Sequence, residues 1–320
     1  DEYHLPHTNN LIPEAMNEEV PSVTNFVRIW SETGLIMDQH NNYQQQRLYM
    51  ADNAIFDIFT FPLIKGNKES VLASPFSAVI TEDLAMKYFG STEVLGESLT
   101  AQLLDSTITL NITGIMEPIP ENSHLQSDMI VSYETAKSLA PPKYLNTWIG
   151  NYLYSYITVK EGTDLKGLKS QFPGFIKKYM AADFRQILGE DTDVTRFMNF
   201  YLQPLPDIYL FAGVDYAIGP KGDINKVYTA IGIALLILII ACINYINLST
   251  AKSMTRAREV GLRKVFGAFR NKVIIQFIAE SVLLAIIALI LSMILVETLL
   301  PFYNAFLGKD LAIGYFSSPE

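Results

Sequence analysis

The chain has 320 residues, 49% of them hydrophobic, and a net charge of −9 from 24 Lys or Arg against 33 Asp or Glu. No nucleic acid is expected as a partner. A single cysteine, Cys242, excludes a disulfide framework, and the length leaves room for one or two domains with cores of their own. From the start of the chain, residues 13 to 20 read as a short helix opened by Pro13, a favourable first helical position. Residues 22 to 31 and 43 to 50 read as strands, and the Phe- and Ile-rich segment 53 to 61 as a core staple. Residues 78 to 80 form the next expected strand, after which Thr81 is placed to cap a helix running to Phe89, with Gly90 as its terminator.

The following part is rich in strand patterns. Residues 98 to 103 and 108 to 116 alternate apolar and polar types, and Pro118 and Pro120 close the run. A strand at 129 to 132, a helix at 133 to 139 and a strand at 152 to 159 come next. Residues 164 to 188 are helical in composition, with Pro173 expected to kink or divide the helix, and 197 to 205 is the last expected strand. Because strands and helices mix irregularly, an α+β domain is favoured over a wound parallel sheet.

Residues 227 to 248 are apolar almost throughout, and residues 273 to 300 form a longer apolar stretch with Gln276, Glu280 and Glu297 toward its ends. A helix needs about 20 such residues to cross a bilayer core, so both are expected to be transmembrane α-helices. Between them, residues 249 to 272 hold seven Lys or Arg against one acid, Glu259, a net of +6, whereas residues 1 to 226 are net −12. Short basic loops stay in the cytoplasm, which places residues 1 to 226 and the tail 301 to 320 outside it. The chain opens at Asp1 without a starting Met or a signal sequence, so a further span before Asp1 is the simplest way to lead the domain across, and another is expected after the tail.

At 100° per residue, Lys252, Arg256, Glu259 and Arg263 share one face of a helix and Met254, Ala257, Gly261 and Val265 the opposite face. Glu259 is spaced to pair with either Arg256 or Arg263. Such a short amphipathic helix fits anionic lipid headgroups or a docking surface for a cytoplasmic partner, and periodicity does not separate the two. Within the spans, Asn244, Asn247 and Glu280 are costly in lipid unless partnered. Either they sit at interface depth, or Glu280 pairs with Arg263 or Lys264 and fixes the angle of the elbow.

The segment ACINYINLSTAKSMTRAREVGLRKVFGAFRNKVIIQFIAESVLL resembles the start of the FtsX-like permease domain of MacB-type ABC transporters. The resemblance rests on Asn244, Asn247 to Ser249, Arg256 with Glu259 to Lys264, Gly267 with Ala268, and Gln276 with Phe277, Glu280 and Ser281. Upstream, DNAIFDIFTFPLIKGN, SAVITEDLAMKYFG, ITGIMEPIPENSHLQSDMIVSYET and YITVKEG resemble the MacB-like periplasmic core domain. The resemblance implies a porter-like part built from both ends of residues 1 to 226 with a smaller inserted lobe at about 62 to 145, then a partial permease domain over 227 to 320. It implies a cytoplasmic ABC ATPase docked on Arg256, Glu259, Arg263 and Lys264, which tips the elbow toward docking. It further implies a second permease copy as homodimer or pseudo-dimer, a bacterial inner membrane location with the large domain in the periplasm, and room for a periplasmic adaptor or outer-membrane partner. Cargo in the family ranges over drugs, peptides and lipoproteins, and some members regulate cell-wall hydrolases instead.

No G-x-x-x-x-G-K-[ST] loop occurs in the sequence, so ATP and Mg are expected on the partner ATPase and no cofactor in this chain. Nor is there an H-E-x-x-H or a G-x-S-x-G, and His4, His7, His40 and His124 share no metal-ligand spacing. No catalytic residue is expected. The aromatic run Tyr201, Tyr209, Phe211 and Tyr216 reads as an interfacial belt or as ordinary core. A two-span receptor with an extracytoplasmic sensing domain is the competing class, but 24 elbow residues are too few to fold an output domain.

Overall fold

The elements in chain order are β1 (His7–Thr8), α1 (Ile12–Glu19), β2 (Val23–Met37), β3 (Tyr43–Ala51), α2 (Ile55–Ile58), β4 (Leu63–Lys65), β5 (Ser77–Thr81) and α3 (Glu82–Phe89). They continue with β6 (Ser98–Leu103), β7 (Ser106–Met116), β8 (Met129–Ser132), α4 (Tyr133–Leu139), α5 (Pro142–Leu145) and β9 (Leu153–Val159). The last are α6 (Leu165–Tyr179), α7 (Ala181–Leu188), α8 (Ile208–Phe211), α9 (Ile224–Val265) and α10 (Arg270–Leu307). This computed structural model describes residues 5–38, 42–120, 123–190, 193–211, 218–219, 222–265, 269–307 and 313–314, without the side chains at 254–256, 258, 259, 263, 264, 270 and 273. The chain divides into two units, Asp1–Val227 and Tyr228–Glu320.

The first unit is organised around β2. Near its start this strand pairs with β9 through Val23 to Ile29, from Ile29 to Met37 it pairs with β3, and at Leu35 and Ile36 it also meets β6. From β3 the ladder continues to β8, β5 and β7, and β7 pairs back with β6. The six strands β2, β3, β8, β5, β7 and β6 therefore close into a ring, a small mixed barrel, with β9 and β1 extending from β2 and β4 attached to β7.

Period-two alternation explains why both faces of this ring are apolar. Leu48, Met50, Ala78, Ile80, Met129 and Val131 point into one buried cluster with Ile36, Leu99, Ala101, Leu103, Leu110 and Ile112. Their immediate neighbours Tyr49, Ala51, Val79 and Ile130 point the other way, into a second cluster with Ile55, Phe56, Phe59, Leu72 and Met116. A strand buried on both sides reads as a continuous apolar run, which is the pattern of SAVIT and MIVS. A third cluster joins α1, α6 and the turn Val194–Arg196 through Ile12, Met16, Leu168, Phe172, Ile176 and Val194.

Local signals behave as the sequence indicates at several places. The Thr81 hydroxyl accepts a hydrogen bond from the Leu84 amide at 3.2 Å, and Gly90 ends α3 in the left-handed region at φ 68°. Two details differ from expectation. Pro173 neither divides nor ends α6; the division falls at Met180, and Pro173 and Lys169 both lie on the exposed side, where water can serve the carbonyl that proline leaves without an amide. Residues 197 to 203 keep strand-like alternation, with Met198, Phe200 and Leu202 packed inward, but form no strand in the described structure, and two prolines follow at 204 and 206. The segment 62 to 145 is tied into the rest by ladders, since β6 pairs with β2 and β8 with β3.

Candidate coupling site

The second unit consists of α9 and α10, which carry apolar stretches Ile224–Ser253 and Ile274–Phe306, each long enough to cross a membrane. The apolar side chains along both are exposed, as expected where lipid replaces a protein core. The basic segment as far as Val265 continues α9 without a break, giving one helix of 42 residues, about 63 Å long at 1.5 Å per residue. Its sequence explains the continuity: Ala251, Lys252, Met254, Arg256, Ala257 and Glu259 are strong helix formers, and no proline interrupts them.

Because this stretch is helical, positions 252, 256, 259 and 263 occupy one side of it. The side chains of Arg256, Glu259, Arg263 and Lys264 lie outside the described residues, and so does the expected pairing of Glu280 with Arg263 or Lys264. Around them, Lys252, Leu262, Val265 and Phe269 are exposed, with Val265 at 84%. Nothing stands within 4 Å of where a side chain at Gly261 would begin, so the surface on that side is open.

Asn244, Asn247 and Glu280 are all exposed on their helices. Tyr245, which the sequence reading did not single out, bridges the two spans: its hydroxyl donates to Ser281 Oγ at 2.9 Å, and Ser281 Oγ donates to the Phe277 carbonyl at 3.0 Å. Thr250 likewise returns its hydroxyl to the Ile246 carbonyl at 2.8 Å. Hydroxyls in an apolar helix are thus satisfied by the backbone one turn earlier, at little cost.

In the first unit, sequence reasoning missed a buried ion pair. Arg28, 4% exposed, donates to both carboxylate oxygens of Asp52, at 2.9 Å from Nε and 2.8 Å from Nη2, and the Arg28 amide adds a bond to Asp52 Oδ2 at 2.8 Å. Its other terminal nitrogen reaches Asn10 Oδ1 at 3.0 Å and Glu14 at 3.3 Å, and the guanidinium stands 4.4 Å from the centre of the Tyr133 ring. Burial disfavours the Arg28 charge, but the hydrogen bonds and charge of Asp52 outweigh it and raise its pKa. Burial also pushes the Tyr133 hydroxyl well above the usual range, against the pull of Arg28, so it stays protonated and donates to Asn10 Oδ1 at 2.6 Å. The network ties the N-terminal segment, β2, β3 and α4 together. The only sequence signal was an arginine inside an apolar strand run, FVRIW, which names no partner.

Two glycines ahead of α9 are closely packed. A Cβ at Gly219 would lie 1.9 Å from the His124 carbonyl oxygen, and one at Gly222 would lie 2.8 Å from the Leu210 side chain. Ile218 is buried beside Phe59 and Leu125, and Asp223 then receives the Asn225 amide at 2.9 Å at the start of α9. His124 shares a 2.9 Å hydrogen bond with the Tyr156 hydroxyl, and its burial lowers its pKa. Tyr201 and Phe211 are exposed and Tyr209 is half-buried, so these three do not form core, while Tyr216 lies outside the described residues. His7 packs on Tyr154 at 4.6 Å between ring centres; His4 and His40 lie outside the described residues.

Comparison with known proteins gives two family matches in chain order. Residues 3–174 match the MacB-like periplasmic core domain, and residues 231–319 match the FtsX-like permease C-terminal domain. No curated protein matches the chain. Among solved structures, a permease-protein domain from Porphyromonas gingivalis is similar at 24% identity and TM-score 0.49, covering 59% of this chain and 78% of that one. The periplasmic region of MacB from Actinobacillus actinomycetemcomitans is similar at 14% identity and TM-score 0.39, covering 54% and 74%. The extracellular domain of the noncanonic ABC-type transporter YknZ from Gram-positive bacteria is similar at 15% identity and TM-score 0.37, covering 52% and 80%. With more than half its length in the first family domain and the second following it, the chain belongs to the MacB/FtsX-like family of ABC transporter permeases.

Proposed function

We propose that this chain is the permease subunit that carries ATP-driven motion from a separate cytoplasmic ATPase across the inner membrane to its periplasmic domain, for extrusion of drugs, peptides or lipoproteins. The carrying observation is that α9 runs unbroken from Ile224 to Val265, so the basic elbow positions and the first span are one helix. A helix of about 63 Å exceeds a hydrocarbon layer of about 30 Å. Displacing its basic end moves the span as a rod instead of bending a hinge. By connectivity, the other end follows on Gly219 and Gly222 of the periplasmic domain, which are closely packed. ATP and Mg belong to the partner, and Arg256, Glu259, Arg263 and Lys264 form its docking face.

The test is charge reversal at Arg256 and Arg263 together. Each desolvated charge-assisted contact is worth about 1 to 3 kcal/mol, so Arg256→Glu with Arg263→Glu should abolish co-purification of the ATPase and stimulation of its hydrolysis at wild-type expression. Were the elbow resting on lipid, each charge would contribute about 1 kcal/mol to an attachment that two spans already secure, and the double variant would behave as wild type. Unchanged partner binding and hydrolysis would overturn the coupling role.

A further inference from the structure

Neither family match covers residues 175–230, and one part of this stretch carries an apolar surface that the coupling role does not use. From Phe197 to Phe211 the only charged residue is Asp207, in a domain that is otherwise strongly acidic. The turn Leu205–Asp207 runs straight into α8, so Leu205, Ile208 and Phe211 recur every third residue and share one side of a short helical piece. Leu205 is 46% and Phe211 54% exposed, and Ile208 is half-buried. The opposite side, Tyr209 and Leu210, packs on Gly222: the Gly222 amide donates to the Tyr209 carbonyl at 2.7 Å, and a Cβ at Gly222 would lie 2.9 Å from Tyr209 Cε1.

That bond sets the height of α8. The apolar stretch Ile224–Ser253 has 30 residues, about 45 Å at 1.5 Å per residue, the thickness of a bilayer with its headgroups at about 40 to 45 Å. Ile224 therefore stands at the outer edge of the headgroup layer, and Gly222, two residues earlier, is at most about 7 Å from it. Lys226 and Tyr228, in the first turns of α9, are residue types that collect at that level. Through Gly222, α8 is held beside the bilayer surface.

We propose that Leu205, Ile208 and Phe211 enter the headgroup layer of the periplasmic leaflet, so that lipid is a partner of the periplasmic domain as well as of the spans; this rests on α9 crossing the membrane. The occupant follows from continuity. The exposed apolar surface of α9 begins at Val227, and α8 presents its own uncharged apolar side at the same edge. With no Lys or Arg between Phe197 and Phe211, the contact is apolar immersion and not recognition of a phosphate group. The domain thereby gains a bearing on the leaflet where α9 leaves the membrane.

The test places bimane labels on full-length permease with its ATPase, in nanodiscs of phosphatidylethanolamine and phosphatidylglycerol and a Cys242→Ala background. Leu205→Cys and Phe211→Cys are compared with Tyr43→Cys, exposed at the opposite end of β2 from the Tyr156 contact with His124 beside Gly219. A headgroup spin-labelled lipid should quench the labels at 205 and 211 several-fold more than the label at 43, and aqueous iodide should quench them several-fold less. Lipid quenching no greater than at 43, with full access to iodide, would overturn the proposal. Shielding from both quenchers would overturn it too, because protein and not lipid would then cover α8. Tyr228→Cys separates the two levels of failure. Lipid quenching at 228 but not at 205 and 211 would sink the foothold and leave the span intact, whereas silence at 228 would overturn the span and the proposal together.

Discussion

Arg28 brings a full charge into a domain interior and is held there by Asp52, which is only partly buried, with Asn10 and Glu14 completing its shell. Removing one partner of such a pair leaves the other uncompensated, a loss of about 3 to 5 kcal/mol. Asp52→Ala should therefore lower the stability of the periplasmic domain by that amount in urea unfolding, while Arg28→Met combined with Asp52→Ala should cost clearly less than the two single changes together. A change within about 0.5 kcal/mol for Asp52→Ala would show that Asn10, Glu14 and the Tyr133 ring suffice to hold the guanidinium. At this scale the sequence was legible only where a residue acts on near neighbours. The Thr81 cap and the Gly90 terminator could be read because their partners lie within a turn. Arg28 and Asp52 are 24 residues apart, Tyr133 and Asn10 are 123 apart, and only the folded ladder brings them together. Tyr245 and Ser281 escaped for the same reason, although Ser281 stood in a family motif.

Closure of the barrel depends on elements whose ends are poor strand formers. The stretch Glu32–Thr33–Gly34 reads as the end of a strand, yet β2 runs through it to Met37, because β3 lies along it and β6 caps its far end. Gly34 is needed there for space: a Cβ would stand 2.3 Å from Leu103 Cδ2 and 3.1 Å from Leu48 Cδ2, both barrel-filling side chains. Gly34→Ala should thus cost about 1 to 3 kcal/mol through overpacking, despite alanine's lower backbone entropy, and should shift the chemical unfolding midpoint without changing its slope. Retained stability would mean that Leu103 and Leu48 repack freely around the added methyl group. Element types from β5 to α4 were legible because apolar runs, caps and prolines punctuate them. The ring itself was not, since the pairing of β6 with β2 joins residues far apart in the chain and no local pattern specifies it. The continuity of α9 was hidden differently: the change from apolar to basic composition at Ser249 looks like a boundary, but composition reports the solvent around a helix, not where the helix stops.

At the scale of the whole molecule, charge decides orientation. The acidic domain of residues 1 to 226, net −12, and the elbow, net +6, flank the first span, and a span that crosses the bilayer puts them in opposite compartments. With the cytoplasm negative, each elementary charge on the wrong side costs about 2.3 kcal/mol per 100 mV, and the Lys and Arg bias of the short elbow sets the direction of insertion. Two exposed positions report the outcome in a Cys242→Ala background: Phe197, 64% exposed in the periplasmic domain, and Lys252, exposed on α9 just past the apolar stretch. In intact spheroplasts a membrane-impermeant maleimide should label Phe197→Cys at once and Lys252→Cys only after permeabilisation. Labelling of both from outside would mean that α9 does not cross the bilayer between them. In that event the rod could not carry motion from one compartment to the other, and the docking role of Arg256 and Arg263 would fail with it, because those positions would be out of reach of any cytoplasmic ATPase. Labelling of Lys252→Cys alone from outside would reverse the orientation and place residues 1 to 226 in the cytoplasm, against the basic elbow and the match of residues 3–174 to a periplasmic core domain.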